Sequence, residues 1–313
     1  MKRVALLFPG QGSQTPGMGK ALNDAFPEVQ ELYQQADSLL GKQLSELMFE
    51  GPEEQLTETE NAQPALLLSG IAVQKLLSGE GVQPVMAAGH SLGEYSALVA
   101  AGAMSFDEAL PLVATRGRLM EEAFPKGKGT MAAVLGMSQE AIEQTLEQIN
   151  NDHVVDIANL NCPGQIVISG SQEGVDTAVD LLKENGAKRV LPLNVSGPFH
   201  SRLMTTANEQ FAKELEAIHF QDANIPVYAN VTASPETDKN RIKDLLLRQM
   251  YSPVRFDESI RLMMDENIDA FVEVGNGKVL SGLVRKINRK AKTFAVQDPD
   301  SLNAFLTWYR EDS

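Results

Sequence analysis

Hydrophobic residues along this chain form two kinds of run, one short and continuous and the other longer with helical spacing. The short runs RVALLF at 3–8 and VMAAGH at 85–90 predict buried strands, because each is apolar and ends at a turn. Between them, the spacing at 28–48 and at 63–78 is helical, with Pro64 suited to the first turn of the second helix. Strands that alternate with helices predict a parallel sheet with helices on its faces, which is the α/β class.

The middle of the chain has a different pattern. From 127 to 195 the predicted order is strand, helix, strand, strand, helix, strand, and the two helices begin at the capping residues Ser138 and Ser171. That order is typical of a ferredoxin-like (βαββαβ) fold. We therefore expect a larger α/β domain, formed by 1–126 and 196–313, that is interrupted by a ferredoxin-like subdomain at 127–195. A cleft between two such domains is a natural ligand site.

Net charge limits the partners that this chain is expected to bind. Acidic residues outnumber basic ones by 42 to 27, which gives a formal net charge of -15. Such a chain is not expected to bind nucleic acid or an acidic membrane, because both are polyanions. An anionic small ligand would need a local basic cluster, for which 284–290, Lys188 and Arg189 are candidates.

Targeting segments and metal sites are not predicted either. The sequence has neither a basic leader followed by an apolar stretch nor an apolar run of roughly 18 residues that could span a bilayer. We therefore expect a cytoplasmic protein that does not contact membranes. The single cysteine, Cys162 in the turn-like stretch NCPGQ, excludes an internal disulfide and a multi-cysteine metal site. We expect Cys162 to be a turn residue and no metal to be bound.

One strand-to-helix corner carries a candidate nucleophile. The stretch GHSLG at 89–93 matches the G-x-S-x-G pattern, and it has the predicted strand before it and a predicted helix after it. Such a turn exposes the serine hydroxyl at the end of the sheet, where the helix N-terminus directs backbone N–H groups at a developing oxyanion. Ser91 is therefore predicted to be a nucleophile. The alternative is a serine that only caps the helix.

A serine hydroxyl needs a base, and the chain has four histidines. His200 lies in NVSGPFHSRLM, where a predicted strand ends, Gly-Pro turns the chain and a helix begins. That is the loop position expected of a catalytic base, although a structural histidine is the alternative. His90 is adjacent to Ser91 and is expected to point away from it, while His153 and His219 lie in polar surroundings. No acidic residue is evident to orient His200.

Five segments, taken together and in this order, resemble the malonyl-CoA:acyl carrier protein transacylases of type II fatty acid synthesis. They are FPGQGSQ at 8–14, GHSLGEYSAL at 89–98, ATRGRLM around Arg116, GPFHS at 197–201 and RQMYSPVRF at 248–256. Each segment alone is a weak signal, whereas the ordered set is specific and covers essentially the whole chain. The resemblance implies an α/β-hydrolase-like body with an inserted ferredoxin-like subdomain.

The resemblance also implies catalytic roles. Ser91 would be the acylated nucleophile and His200 its base, with the main-chain carbonyl of Gln249 orienting the histidine. The backbone N–H groups of Gln11 and Leu92 would form the oxyanion hole. An orienting carbonyl would explain why no acidic residue is evident.

Two further residues are implied to select malonyl groups. Arg116 matches the arginine that holds the malonyl carboxylate, a task suited to a planar guanidinium that donates two parallel hydrogen bonds. Without the resemblance, Arg116 would be interpreted as a solvated or ion-paired charge on a helix. Phe199 matches the malonyl-preferring form of the motif before the histidine. One departure is VGNGKVL at 274–280, in which Asn276 replaces the proline of the family's Gly-Pro-Gly; it lies outside the expected chemistry.

The implied activity is a two-step acyl exchange. Malonyl-CoA acylates Ser91, and the phosphopantetheine thiol of acyl carrier protein then takes the malonyl group, with His200 as base in both steps and without a metal or redox cofactor. Two alternatives stay open. A serine hydrolase would pass the acyl group to water, and a non-catalytic acyl-CoA-binding or scaffold protein would keep only the fold. The oligomeric state is also open, a monomer included.

Overall fold

Strands and helices alternate along the first part of the chain. The computed structural model describes residues 2–125, 127–150 and 152–311. The first nine elements are β1 Val4–Phe8, α1 Lys20–Ala25, α2 Pro27–Leu40, α3 Leu44–Glu50, α4 Glu53–Thr57, α5 Thr59–Gly79, β2 Met86–Gly89, α6 Leu92–Ala100 and α7 Phe106–Glu122.

The remaining elements fall into two groups. The first group is β3 Gly129–Leu135, α8 Gln139–Leu146, β4 Val155–Cys162, β5 Gln165–Ser171, α9 Gln172–Glu184 and β6 Arg189–Pro192. The second group follows a short 3-10 helix at Arg202–Met204 and consists of α10 Thr205–Glu216, β7 Val227–Tyr228, β8 Pro235–Glu236, α11 Lys239–Gln249, α12 Phe256–Met264, β9 Ala270–Val274, α13 Val279–Ile287, β10 Thr293–Val296 and α14 Pro299–Arg310.

Six strands form one sheet in the order β10-β9-β1-β2-β7-β8. Neighbouring strands are parallel except β7 and β8, which pair antiparallel at one edge. The predicted parallel sheet of an α/β protein is thus confirmed. The central strands β1 and β2 end at the paired residues Phe8 and Gly89, so the loops that follow them start side by side. Ligand sites of open α/β sheets lie at this carboxyl edge of the strands.

Strand β1 shows why the sheet is covered on both faces. All five of its residues are buried. Alternate residues, namely Val4, Leu6 and Phe8, belong to the same core cluster as the buried residues of α5 and α6, while Ala5 and Leu7 belong to the cluster of α12 and α13. A continuous apolar run is typical of a strand buried on both sides, because successive side chains point to opposite faces.

The segment between β3 and β6 forms a second, antiparallel sheet in the order β4-β5-β3-β6. Helices α8 and α9 pack on it through a separate hydrophobic cluster. Both helices begin at the predicted caps, since the hydroxyl oxygens of Ser138 and Ser171 accept hydrogen bonds from the N–H groups of Ala141 and Gly174. The predicted order of these six elements is confirmed.

The helical run predicted over 28–48 is in fact two helices. Helix α2 ends before Gly41, whose φ of 62° is left-handed, and α3 begins at Leu44. Glycine adopts that conformation without the steric cost that other residues incur, so it commonly ends helices. The apolar spacing continues across the break because both helices pack into the same core cluster.

The prediction that Pro64 lies in a first helical turn is wrong. Helix α5 begins five residues earlier, at Thr59, and Pro64 lies inside it. The residues before Pro64 include Thr59 and Asn61, which are polar yet buried. Their polarity concealed the true start of the helix, because exposed polar residues before an apolar run are typical of a loop.

The predicted turn position of Cys162 is also wrong. Cys162 is the buried last residue of β4, and the turn is formed by the next two residues, Pro163 and Gly164.

The predicted domain boundary at 126/127 falls on Lys126, which lies outside the described residues, as do the predicted ends at 1 and 313. Within the described ranges, none of the helices combines the length and apolarity that crossing a bilayer requires.

Two glycines hold the turn between β2 and α6. Ser91 lies between them with a φ of 52°, a left-handed conformation that residues with a side chain rarely adopt. A Cβ atom added to Gly93 would lie 1.9 Å from the carbonyl oxygen of Phe8, and one added to Gly89 would lie 1.9 Å from the carbonyl carbon of Gly93. The turn therefore requires glycine at both positions, and it places the start of α6 against the end of β1.

We predict that Gly93→Ala lowers the free energy of unfolding by about 1–3 kcal/mol or more, because its methyl group overlaps main-chain atoms that cannot move independently. Gly282→Ala is the matched control. Gly282 lies inside α13 with no atom within 4 Å of an added Cβ, so its replacement should raise the free energy of unfolding by about 0.5–1 kcal/mol. Urea unfolding measures the stability of both variants and of the wild type. Equal stabilities of the two variants would contradict the requirement for glycine at position 93.

Candidate active site

A cavity of about 310 Å³ opens at the carboxyl ends of β1 and β2. Its wall includes residues of the β2–α6 turn and of α7, together with Met131 and Asn159 from the four-stranded sheet. Six of the seven residues predicted to form the site line this cavity: Gln11, Ser91, Leu92, Arg116, Phe199 and His200. The seventh, Gln249, is buried and contacts Arg116 and His200. The structure thus brings all seven together.

Ser91 and His200 contact each other directly. The hydroxyl oxygen of Ser91 lies 2.7 Å from Nε2 of His200. The Ser91 side chain makes no capping hydrogen bond to α6, so the alternative of a serine that only caps the helix is excluded. With Nε2 as acceptor, His200 is placed to take the hydroxyl proton.

Main-chain carbonyl groups orient His200. Its Nδ1 atom lies 3.0 Å from the carbonyl oxygen of Gln249 and 3.2 Å from that of Ser252. Because a carbonyl oxygen only accepts hydrogen bonds, Nδ1 carries the proton and Nε2 is left free to accept one. No carboxylate is needed to set this tautomer.

Burial and a neighbouring charge keep His200 neutral. Its side chain is 4% exposed, and its backbone φ of 57° is left-handed. Burial, followed by the positive charge of Arg116, lowers the pKa of His200 to about 3. The imidazole is therefore unprotonated at neutral pH, which is the form that a general base requires.

Arg116 is a buried cation on α7, with only 1% of its surface exposed. Its Nη1 donates to Oε1 of Gln63 at 2.8 Å, and its Nη2 donates to Oε1 of Gln249 at 2.9 Å and to the Ser91 hydroxyl at 3.2 Å. The guanidinium carbon lies 5.2 Å from the ring centroid of Tyr95. These partners are neutral, so the charge at the wall of the cavity is free to pair with an anion.

The two predicted oxyanion donors follow the adjacent strands β1 and β2. Leu92 is the first residue of α6, where a helix leaves N–H groups without an intrahelical acceptor. Gln11 follows β1. Asn276 stabilises the loop that carries Gln11. Its Nδ2 donates to the carbonyl oxygen of Ser13 at 2.6 Å and to the hydroxyl oxygen of Thr15 at 3.0 Å. A proline at position 276 could not make these bonds.

Sequence reasoning missed Asn230, which follows β7. Its Oδ1 accepts from the N–H of Ser91 at 2.8 Å, and its Nδ2 donates to the carbonyl oxygen of Gly89 at 2.7 Å. These bonds hold the left-handed backbone of Ser91 from outside the turn. A single asparagine among loop residues gives no sequence signal for such a role.

Sequence reasoning also missed Glu94, three residues after Ser91 on α6. Its carboxylate is 3% exposed and accepts from Nε2 of Gln249 at 2.7 Å and from the N–H of Asn230 at 3.1 Å. Burial raises the pKa of Glu94 to about 7. A buried carboxyl group beside the site could not be foreseen, because the sequence GEYS at 93–96 predicts an ordinary, exposed first turn of a helix.

The remaining candidates lie apart from the Ser91–His200 contact. His90 also lines the cavity, but its Nε2 lies 2.8 Å from Oδ1 of Asn161. His153 faces Glu173, at 3.6 Å. None of the basic cluster at 284–290, Lys188 and Arg189 lines the cavity; the cation there is Arg116. Across the described ranges, no three His, Cys, Asp or Glu side chains are grouped so as to hold a metal ion.

Comparison with known proteins gives a consistent result. Residues 5–298 match the family model described as acyl transferase domain. The malonyl CoA-acyl carrier protein transacylase of Bacillus subtilis strain 168 is 52% identical over 314 residues, which covers 100% of this chain and 99% of the relative. That of Staphylococcus aureus strain MRSA252 is 45% identical over 298 residues, with coverages of 95% and 96%.

Solved structures are similar to nearly the whole of this chain. An acyl carrier protein S-malonyltransferase from Vibrio cholerae O1 biovar eltor has a TM-score of 0.95 and 43% identity, covering 97% of this chain and 99% of that chain. A structure described as a type II PKS acyl carrier protein in complex with its malonyl-transacylase has a TM-score of 0.95, 41% identity and the same coverages. The chain therefore belongs to the family of malonyl CoA-acyl carrier protein transacylases.

Proposed function

We propose that this protein transfers the malonyl group of malonyl-CoA to the phosphopantetheine thiol of acyl carrier protein. The observation that carries the proposal is the position of the Ser91 hydroxyl, 2.7 Å from a neutral imidazole and 3.2 Å from a buried guanidinium. One neighbour can accept the proton of Ser91, and the other can bind a carboxylate near it. The relatives from Bacillus subtilis and Staphylococcus aureus are named for this transfer. One similar solved structure is a complex of a malonyl-transacylase with an acyl carrier protein.

The first step forms a malonyl ester. The carboxylate of malonyl-CoA pairs with Arg116, which directs the thioester carbonyl at Ser91. Nε2 of His200 takes the hydroxyl proton while the serine oxygen attacks, and the N–H groups of Gln11 and Leu92 stabilise the oxyanion. The intermediate collapses with cleavage of the carbon–sulfur bond, and His200 returns the proton to the CoA thiolate.

The second step runs the same chemistry in reverse. His200 takes the proton of the phosphopantetheine thiol, the thiolate attacks the ester carbonyl, and the serine oxygen leaves and regains the proton. Arg116 keeps its contact with the malonyl carboxylate throughout, so both tetrahedral intermediates form at one place. Each step is a proton transfer coupled to an acyl transfer, and the named residues supply every group involved.

We assign an α/β-hydrolase-like body to 1–126 and 196–313 and a ferredoxin-like subdomain to 127–195. The left-handed Ser91 between β2 and α6 supports the first assignment. The antiparallel order β4-β5-β3-β6, with two helices in one core cluster, supports the second. Phe199, buried beside His200, is assigned to the malonyl-selecting wall.

We predict that purified protein mixed with malonyl-CoA and carrier protein yields malonyl-carrier protein, and that Ser91→Ala lowers this rate by at least about 10³-fold because the nucleophile is lost. Ser96→Ala is the matched control. Ser96 is a buried serine on the same helix whose hydroxyl has no hydrogen-bond partner among the described residues, so its removal should leave the rate unchanged. Mass spectrometry follows both the carrier protein and Ser91.

The outcome of the same experiment separates the rival activities. Free malonate in place of malonyl-carrier protein would indicate a serine hydrolase. Binding of malonyl-CoA without any mass increase at Ser91 would indicate a non-catalytic binding protein. Either result would contradict the proposed transfer.

We predict that Arg116→Ala lowers the rate of Ser91 acylation by malonyl-CoA by about 30-fold or more, because the buried pair between guanidinium and carboxylate is lost. Acylation by acetyl-CoA, which has no free carboxylate, should change by less than about threefold. Arg116→Lys should recover malonyl loading only in part, since an ammonium group cannot make two parallel hydrogen bonds. Rapid-quench mass spectrometry of Ser91 measures both reactions, and an equal loss for the two thioesters would assign Arg116 a structural role.

A further inference from the structure

Glu94 is a buried carboxyl group that the proposed mechanism does not use. It is the third residue of α6, where a negative side chain is favoured by the helix dipole. One oxygen, Oε2, accepts both of its hydrogen bonds, from Nε2 of Gln249 and from the N–H of Asn230. Burial of a carboxyl group costs free energy unless hydrogen bonds compensate it. A carboxylate that only stabilised the N-terminus of α6 could do so from an exposed position, without a contact to Gln249.

The surroundings of the Gln249 amide permit one orientation. Its Nε2 faces Oε2 of Glu94 at 2.7 Å, the carbonyl oxygen of Ser91 at 3.0 Å and Oδ1 of Asn230 at 3.3 Å. All three atoms act as acceptors here, since Asn230 Oδ1 already receives the Ser91 N–H. An inverted amide would direct its oxygen at these three acceptors and its NH₂ group at the guanidinium of Arg116.

Glu94 is the strongest of the three acceptors and the nearest. In its ionised form, which prevails above its raised pKa of about 7, the Glu94 carboxylate forms hydrogen bonds about twice as strong as those of a neutral oxygen. It therefore contributes most to holding Nε2 on its own side, which leaves Oε1 of Gln249 facing Nη2 of Arg116 at 2.9 Å. Together with Gln63, this oxygen fixes the plane of the guanidinium.

The amide also keeps two charges apart. In the described part of the chain no direct ion pair joins Glu94 to Arg116, and the Gln249 amide bonds to both of them. A direct pair would neutralise the guanidinium, and a substrate carboxylate would have to displace Glu94 from it. With Gln249 between them, Arg116 is oriented by neutral oxygens and keeps its charge for the substrate.

We propose that Glu94 is a positioning residue for substrate selection: it sets the orientation of the Gln249 amide, which in turn orients Arg116 for the malonyl carboxylate. The inference rests on the proposed function. A positioning role of Glu94 can be distinguished from a purely structural role. If Glu94 positions Arg116, loss of the Glu94 acceptor should reduce malonyl loading more than acetyl loading. Effects that pass through Asn230 to the Ser91 backbone should reduce both reactions equally.

The test compares Glu94→Met, which fills a similar volume without an acceptor, with Glu94→Gln, which keeps an acceptor oxygen. We expect Glu94→Met to lower the ratio of malonyl to acetyl loading at Ser91 by about tenfold, mainly through KM for malonyl-CoA, as expected for loss of one charge-assisted hydrogen bond. Glu94→Gln should keep the ratio within about threefold of the wild type. Ser96→Ala serves as the control on the same helix.

A double variant tests the path through Gln249. If Glu94 acts through that amide, adding Glu94→Met to Gln249→Met should not lower the ratio further, because the amide is already absent. Additive losses would overturn the inference. So would equal losses of malonyl and acetyl loading in Glu94→Met, or the failure of both Glu94→Met and Glu94→Ala to fold while Glu94→Gln folds, since each result indicates a structural role.

Failure of the proposed function has a different signature. Wild-type protein that loads no malonyl group would overturn the proposed function and this inference together. Normal loading by the wild type with an unchanged ratio in Glu94→Met would overturn the inference alone.

Discussion

A single buried cation constrains the whole site. The guanidinium of Arg116 is removed from water, and taking an unpaired charge out of water costs several kcal/mol. The structure offsets this cost with neutral oxygens, those of Gln63, Gln249 and Ser91. None of these oxygens cancels the charge, and the Gln249 amide lies between the guanidinium and Glu94, so Arg116 can still pair with an anionic ligand. The same charge helps to keep His200 neutral, since it adds to the effect of burial on the histidine pKa.

The parts that meet at this cation come from distant segments of the chain. The β2–α6 turn supplies Ser91, α7 supplies Arg116, and the end of α11 supplies Gln249. Gln249 connects them, since its main-chain carbonyl accepts from His200 while its side chain bonds to Arg116 and to the carbonyl oxygen of Ser91. Base, nucleophile and cation are thus positioned by one residue, and a shift of α11 would disturb all three.

Local sequence patterns predicted those features that local interactions determine. The G-x-S-x-G turn was recognisable because glycine is required on both sides of a left-handed Ser91. The caps at Ser138 and Ser171 were recognisable for a similar reason, as each bond spans three residues. The break at Gly41 was not, because the apolar spacing continues across it. The early start of α5 was not either, because its first turn contains polar residues that are buried.

Features that depend on long-range contacts could not be predicted from local pattern. Arg116 alone is compatible with an exposed helical charge, and it was assigned only through resemblance to a family. The sequence contains no local signal for the roles of Asn230 or Glu94. Asn230 bonds to Ser91 and Glu94 bonds to Gln249, and in each pair the two residues are more than a hundred positions apart in the chain. Asn276 was expected to lie outside the chemistry, yet it binds the loop that carries Gln11.

In the proposed mechanism, a single position of the Ser91 hydroxyl serves both acyl transfer and recognition of the substrate carboxylate. The most direct test is a crystal structure of the protein after reaction with malonyl-CoA in the absence of carrier protein. The account predicts a malonyl ester on Ser91, with its carboxylate within hydrogen-bond distance of both Nη atoms of Arg116 and its carbonyl oxygen directed at the N–H groups of Gln11 and Leu92. An ester whose carboxylate points to solvent, or an acyl group attached to another residue, would contradict it.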